Sequence, residues 1–331
     1  MQDELVGKVM KKISSKERLR IKLLNLYNLE SYKKKGNPKY HLGMPQKLSL
    51  FNSQYRDNVL RNIEKMRMKY SSGQSCYIDF YKVDTLMPDG TIHFLHQLAK
   101  LSTLNIKGRT SQSPIVKSML SKLGVHGRMG LPSFEFKHKV VDRWYYLMGE
   151  SADFGEEFVE IQDALHEVLN DADEEFIVST AISEAVSNVV HHGYDKSTHY
   201  KKWLLFVGIS DKRCDIIISD LGRTIPKTAP KSLGEKIKDS LQIKWSEKSD
   251  ADRIELATTW RKSSTNDSHR GKGFDNIIQV KDVRSDTYIH VLSRNGAWSS
   301  EQGKKSYAEP VNGTIVYWSI PIENSLSSQN S

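Results

Sequence analysis

The sequence predicts an α/β protein: an α+β two-layer sandwich in the C-terminal half, preceded by a smaller α/β unit and a basic helical N-terminal segment. Three observations carry this expectation. The run FIVSTAISEAVSNVVHHGYD repeats its apolar residues at helical spacing and ends at Gly193, a residue suited to a helix C-cap. The runs CDIIISDLGRTIP, TYIHVLSRNGAW and NGTIVYWSIPI are β-rich and bounded by turn residues. Upstream, CYIDFYKV, the turn MPDG, TIHFLHQLAKLSTL, NIKGRTSQSP and IVKSMLSKLG read as strand, turn, helix, strand and helix, with Gly124 closing the last helix.

The chain has 331 residues, enough for two cores and a helical extension. Its hydrophobic fraction of 38% and charged fraction of 27% exclude a largely disordered polymer. The expected divisions are a basic helical segment over 1–70, a small α/β domain over 71–135, a larger domain over 139–323 and a polar tail over 324–331. In the first segment Leu19, Leu23, Leu24 and Leu26 are spaced for one helix face. Val59, Leu60, Ile63 and Met66 are spaced for another, after the breaker GNPKYHLGMP.

Residues 1–70 hold 17 Lys and Arg against 6 Asp and Glu, a net of +11, so the rest of the chain carries about −2 of the total of +9. A local excess of this size suits either the solvated face of amphipathic helices or contact with nucleic acid phosphates or an acidic partner. Cys76 and Cys214 stand far apart in apolar runs, which excludes a disulfide framework and a CxxC metal site. MQDELVGKVMKK lacks the apolar stretch of a signal peptide, and the sequence has no run of about eighteen apolar residues, the length that spans a bilayer. The expected location is cytoplasmic, with no membrane partner.

On the helix ending at Gly193, Glu184, Asn188 and His192 recur at i, i+4 and i+8, a polar stripe on an otherwise apolar helix. Mg²⁺ favours oxygen ligands and shares them with phosphates and water, so the Asn188 amide suffices as a protein ligand, and Glu184 can polarise a hydroxyl or a water. Asp220 ends an apolar strand and is followed by Gly222. A carboxylate only accepts hydrogen bonds, which suits an exocyclic amino group, and the glycine admits a ring close to the backbone. In WRKSSTNDSHRGKGFDNIIQVKDV, Gly271 and Gly273 precede a helix-like run, with Arg270 and Lys272 adding positive charge, an arrangement able to cradle phosphates. No GKS or GKT follows, so it is not a Walker A loop. Thr314 comes directly after Gly313 at the start of the last strand.

In this order the four motifs resemble the N-box, G1-box, G2-box and final Gly-Thr strand of the GHKL superfamily of gyrase, chaperone, histidine-kinase and mismatch-repair ATPases. The resemblance implies a Bergerat-type ATP-binding fold over 139–323 with ATP and Mg²⁺ as cofactors. It makes Glu184 the catalytic base and Asn188 the Mg²⁺ ligand, and puts Asp220, Gly222 and Thr314 at adenine. Ser263, Ser264, Thr265 and Asn266 would belong to an ATP lid, with Arg270, Gly271, Lys272 and Gly273 at its phosphate end and His192 near the phosphates. Two positions depart from the family pattern: Thr224 replaces the second glycine of the G1-box, and the pair His191 and His192 replaces the usual Lys or Arg after the N-box Asn. His166, the one histidine resembling a phosphoacceptor on a preceding helix, lacks the surrounding signature of sensor histidine kinases.

Residues 74–127 are similar to the STAS-like domains of anti-sigma-factor antagonists, in which a phosphorylatable Ser stands where this chain has Pro88; the neighbouring Thr91 has a different geometry. The combination implies a Mg·ATP-binding regulatory protein acting on a protein partner, as an ATPase or a serine/threonine kinase. The alternative is a conformational ATPase or ATP sensor that holds nucleic acid through residues 1–70. Similar ATPases commonly dimerise, so the resemblance also admits a homodimer.

Overall fold

The computed structural model describes residues 41–169, 171–228, 247–259 and 273–322. The expected helix through Leu19 to Leu26, the proposed lid from Ser263 to Asn266, Arg270, Gly271, Lys272 and the tail lie outside the described residues. The chain forms two compact units that divide between Asp142 and Arg143. Among the described residues no helix is long and apolar enough to cross a membrane.

The first unit is built on parallel strands. β1 (His41–Gly43), β3 (Cys76–Asp79) and β5 (Ile106–Arg109) form one sheet in the order β1-β3-β5, and β2 (Lys47–Leu48) pairs with β4 (Thr85–Leu86) in a second. Parallel neighbours need long crossovers. α1 (Ser53–Ser71) lies in the first crossover and α2 (Pro88–Lys100) in the second; α3 (Pro114–Lys122), α4 (Val125–Arg128) and α5 (Lys139–Asp142) follow the last strand. α1 starts at Asn52, whose side chain accepts from the Gln54 N–H at 3.0 Å, and buries Val59, Leu60, Ile63 and Met66 as the spacing predicts. α3 ends before Gly124, whose φ of 74° is the left-handed conformation of the expected cap.

The expected boundary at 70/71 does not hold. β1 pairs with β3 across it, α1 packs on α2, and Asn62 in α1 donates to the Gly43 carbonyl at 2.8 Å. Residues 41–70 therefore belong to the α/β unit, and what reads as the end of a basic lead is a crossover helix. Pro88 takes the first position of α2, where its missing N–H costs nothing. Asp89 beside it is buried and accepts from Ser49 Oγ and the N–H groups of Leu50 and Phe51. The Thr91 hydroxyl is buried as well, at 2% exposure, so it is not presented as a phosphoacceptor.

The second unit is a five-stranded sheet in the order β6-β7-β8-β10-β9, antiparallel throughout: β6 (Trp144–Gly149), β7 (Trp203–Ile209), β8 (Arg213–Asp220), β9 (Tyr288–Ser299) and β10 (Gly303–Pro321). The chain is thus mixed α/β, parallel in one unit and antiparallel in the other. Alternate strand residues Leu205, Val207, Ile216, Ile218, Val291 and Trp318 enter one core with Ile161, Leu165, Val178, Ile182, Val186 and Ile277 from the helices. Those helices are α6 (Val159–Leu169), α7 (Ala172–Asn188) and α9 (Gly273–Gln279); α8 (Asp250–Thr259) packs on β9. Cys76 and Cys214 are both free and buried, in different units.

Two buried polar groups lock helices to strands. The Trp318 indole on β10 donates to the Ile277 carbonyl in α9 at 2.8 Å. Arg284, whose side chain is 8% exposed, bonds both Glu174 oxygens at the start of α7, the Leu169 carbonyl at the end of α6 and the Pro321 carbonyl at the end of β10. Removing one member of a buried pair strands the other charge, at a cost of about 3–5 kcal/mol. Arg284→Met is therefore expected to lower the unfolding free energy by about 3 kcal/mol or more in urea melts. Arg284→Lys should recover little of it, since an ammonium cannot reproduce the planar fork.

Candidate functional site

α7 begins at Asp171, whose carboxylate accepts from the N–H groups of Asp173 and Glu174, and its acidic first turn suits the helix dipole. Val178, Ala181, Ile182, Ala185 and Val186 face the core, which leaves Glu184 and Asn188 half-buried one turn apart. The Asn188 amide nitrogen is buried with no hydrogen-bond partner. Beyond Asn188 the helix widens into a π-helical turn, Val189–Gly193. His191 on this turn lies 2.9 Å from the Ser187 carbonyl, and His192 is exposed with its ring 6.2 Å from that of His191.

Gly193 is not the left-handed cap that the sequence predicts, because its φ is not positive. The glycine that a close approach requires is Gly222, which packs on the Gly193 carbonyl. A Cβ on Gly222 would lie 2.0 Å from the Gly193 carbonyl oxygen, so the end of the α7 turn and the loop after β8 run in direct backbone contact. Asp220 stands at that loop, 5% exposed, its carboxylate accepting from the Gly222 N–H at 2.7 Å and from the Thr314 N–H. Burial pushes the Asp220 carboxyl up to about 7, with those two N–H groups pulling the other way. Gly313, at φ 81°, repeats the pattern: a Cβ there would lie 2.0 Å from the Asp220 carbonyl oxygen. It falls within an irregularity of the β9–β10 pairing between Val311 and Thr314, which brings the start of the last straight run of β10 against the Asp220 turn.

Two further residues support this junction and escaped the sequence reading. The Tyr194 hydroxyl donates to the Lys202 carbonyl and accepts from the Leu221 N–H at 3.0 Å, bracing the segment after α7 against the Asp220 turn. Ser293 on β9 is fully buried; its oxygen accepts from the Ile225 N–H at 3.0 Å and lies 2.9 Å from Thr314 Oγ1. Its signal was legible as a polar residue in the apolar run TYIHVLS. Thr224, at the departure from the glycine pattern, is 6% exposed and its hydroxyl has no partner.

The structure thus brings Asp220, Gly222, Thr224 and Thr314 together and joins them to the end of α7, the helix that carries Glu184 and Asn188. Gly273 is the first residue of α9, which packs on α7 and is held by Trp318. Ser264, Thr265, Arg270, Gly271 and Lys272 lie outside the described residues. No family model matches the chain, and no curated protein matches its sequence.

The chemistry follows from the donor set. A buried carboxyl with remaining lone pairs, an unpartnered amide nitrogen and an unpartnered hydroxyl fit a polar ligand better than an apolar one, because buried polar groups otherwise carry an uncompensated desolvation cost. Among the described residues no group of three or more His, Cys, Asp or Glu is placed to hold a metal ion. The Asn188 amide oxygen is a suitable hard ligand for a cation that takes its other ligands from phosphates and water. His166 is exposed and lies 2.9 Å from Glu175, whose hydrogen bond and charge raise its pKa. Gly222→Ala is expected to drive the Asp220 turn off the Gly193 carbonyl, costing about 1–3 kcal/mol and lowering the melting temperature by roughly 3–10 °C in calorimetry.

Proposed function

We propose that residues 143–322 form the greater part of a Mg·ATP-binding domain of the GHKL, Bergerat-type class, in a regulatory protein that acts on a protein partner. The observation that carries this reading is the Asp220 carboxyl, buried and oriented by the Gly222 and Thr314 N–H groups beside the end of the helix bearing Glu184 and Asn188. The five-stranded antiparallel sheet with helices packed on one face supports this reading. Asp220 accepts from the adenine amino group, and Gly222 lets the ring approach. Asn188 offers its amide oxygen to the Mg²⁺ that travels with the nucleotide, which neutralises charge on the phosphates. Glu184, one turn and about 6 Å before Asn188 along the helix, takes the proton from an attacking hydroxyl, either a partner Ser or Thr or a water.

The preceding unit, with its parallel sheet and crossover helices, supports a docking module of the STAS-like kind. Pro88 has no hydroxyl, and Thr91 is buried, so the acceptor of any phosphoryl transfer is sought on a partner.

Titration calorimetry tests the binding reading. Mg·ATP is expected to bind the wild type and to lose at least about tenfold in affinity on Asp220→Asn, the scale of a hydrogen bond to a charged group. Absence of binding to the wild type sinks the proposal. Glu184→Gln should keep binding while losing transfer of label from [γ-³²P]ATP to water or to a candidate partner.

The pH dependence has a definite sign. The Asp220 carboxyl in the folded, ligand-free protein titrates near 7, and the amino group of adenine favours the ionised form. ATP affinity should therefore rise as pH increases through about 7 and level off above it. The stability of the ligand-free protein should show the opposite slope from this group. Between the ordinary carboxyl pKa of 3.8 and about 7 the folded state holds a proton that the unfolded chain has released, and that advantage disappears as pH rises through the window. In Asp220→Asn both trends should flatten.

A further inference from the structure

Ser293 sits in β9 directly across from Thr314 in β10, fully buried, with three hydrogen-bonding neighbours: the Ile225 N–H at 3.0 Å, Thr314 Oγ1 at 2.9 Å and the Gly313 carbonyl at 3.3 Å. A hydroxyl has one proton and two acceptor positions. The Ile225 N–H can only donate, so it occupies one acceptor position. The Gly313 carbonyl can only accept, so the Ser293 proton goes there. One acceptor position is left, and Thr314 Oγ1 can fill it only by donating its own proton. This is the one assignment that satisfies all three neighbours.

The Thr314 hydroxyl is then committed as a donor towards Ser293, and what it turns elsewhere is its lone pairs. The Thr314 N–H is committed too, to the Asp220 carboxyl. With the Asp220 carboxyl ionised, the form that an exocyclic amino group favours, Asp220 and Thr314 together therefore present acceptors and no donor.

We infer that Ser293 is a specificity-determining positioning residue: by pinning the Thr314 proton it makes this end of the site select a base edge carrying an exocyclic amino group and reject the oxo analogue. The inference rests on the nucleotide reading above and adds a cause for base choice that lies in a strand that no motif covers. A 6-oxo group would bring a carbonyl oxygen against two acceptors. With Ser293 removed, the Thr314 hydroxyl is free to rotate and to donate to that oxygen.

The test is the ratio of ITP to ATP dissociation constants, measured by calorimetry on the full chain well above pH 7, where Asp220 is ionised, with thermal melts alongside. The wild type should prefer ATP by about 100-fold, the scale expected when a mismatched edge leaves buried polar groups unpaired. Ser293→Ala should cut that preference to roughly tenfold, about one hydrogen bond's worth, chiefly by strengthening ITP. A purely structural loosening would weaken both nucleotides together and leave the ratio unchanged. Thr314→Val, which keeps the shape and the contacts of Ser293 to Ile225 and Gly313, should also narrow the ratio. Ser293→Ala added to Thr314→Val should then change it no further. If the ratio survives Thr314→Val, or if the two substitutions act additively on it, the inference fails while the ATP reading stands. If the wild type binds neither nucleotide, both fail. Should Ser293→Ala not fold, Ser293→Cys takes its place: the thiol keeps the shape but is a weak acceptor, so the ratio should narrow as well, and an unchanged ratio overturns the inference.

Discussion

Asp220 is satisfied only where the loop after β8 meets the last strand, and the candidate site exists because of that requirement. A carboxyl at 5% exposure needs donors, and it finds them in Gly222, two residues on, and in Thr314, at the far end of the chain's last hairpin. The first bond is local, and the second forms only because the backbone at Gly313 comes unusually close to the Asp220 turn. Gly222 touches the Gly193 carbonyl and Gly313 touches the Asp220 carbonyl, both at distances that exclude a side chain. Burial, in turn, raises the carboxyl's pKa to near neutrality, which is what makes the group sensitive to a ligand that bonds to its ionised form.

Around this junction the unit divides its labour. Hydrophobic packing of α6, α7 and α9 on one face of the sheet supplies the bulk of its cohesion. A few buried polar groups set register and orientation. Arg284 gathers the ends of α6, α7 and β10, Trp318 holds α9 to β10, and Tyr194 ties the segment after α7 to the Asp220 turn. Each spans a large sequence separation, and each would leave a buried donor or acceptor unpaired if the elements slipped.

How far the sequence could be read depended on the range of the interaction. Helical periodicity over 176–192 located α7 and its polar stripe, because side-chain spacing is a local property of the helix. Gly124 was legible as a cap for the same reason. The division at 70/71 was misread because β1 is three residues long, carries no pattern of its own and becomes a strand only by pairing with Cys76–Asp79 beyond α1. Gly193 is not the cap that the helical pattern suggests, and the contact that excludes a side chain there falls on Gly222 instead, which no local pattern encodes.

By itself, the sequence determined the mixed α/β class, the strand-helix run from Cys76 to Gly124, α7 and strands β8, β9 and β10, and the order of the polar motifs, since propensity, periodicity and turn chemistry act over a few residues; β6 and β7 were not read from it. Only the tertiary structure decided that Asp220 and Thr314 are bonded, that Tyr194 and Ser293 brace their junction, and that residues 41–70 belong to the parallel-sheet unit. Those outcomes come from strand pairing and close backbone contact between residues tens of positions apart, where the deciding quantity is the cost of leaving a buried polar group without a partner.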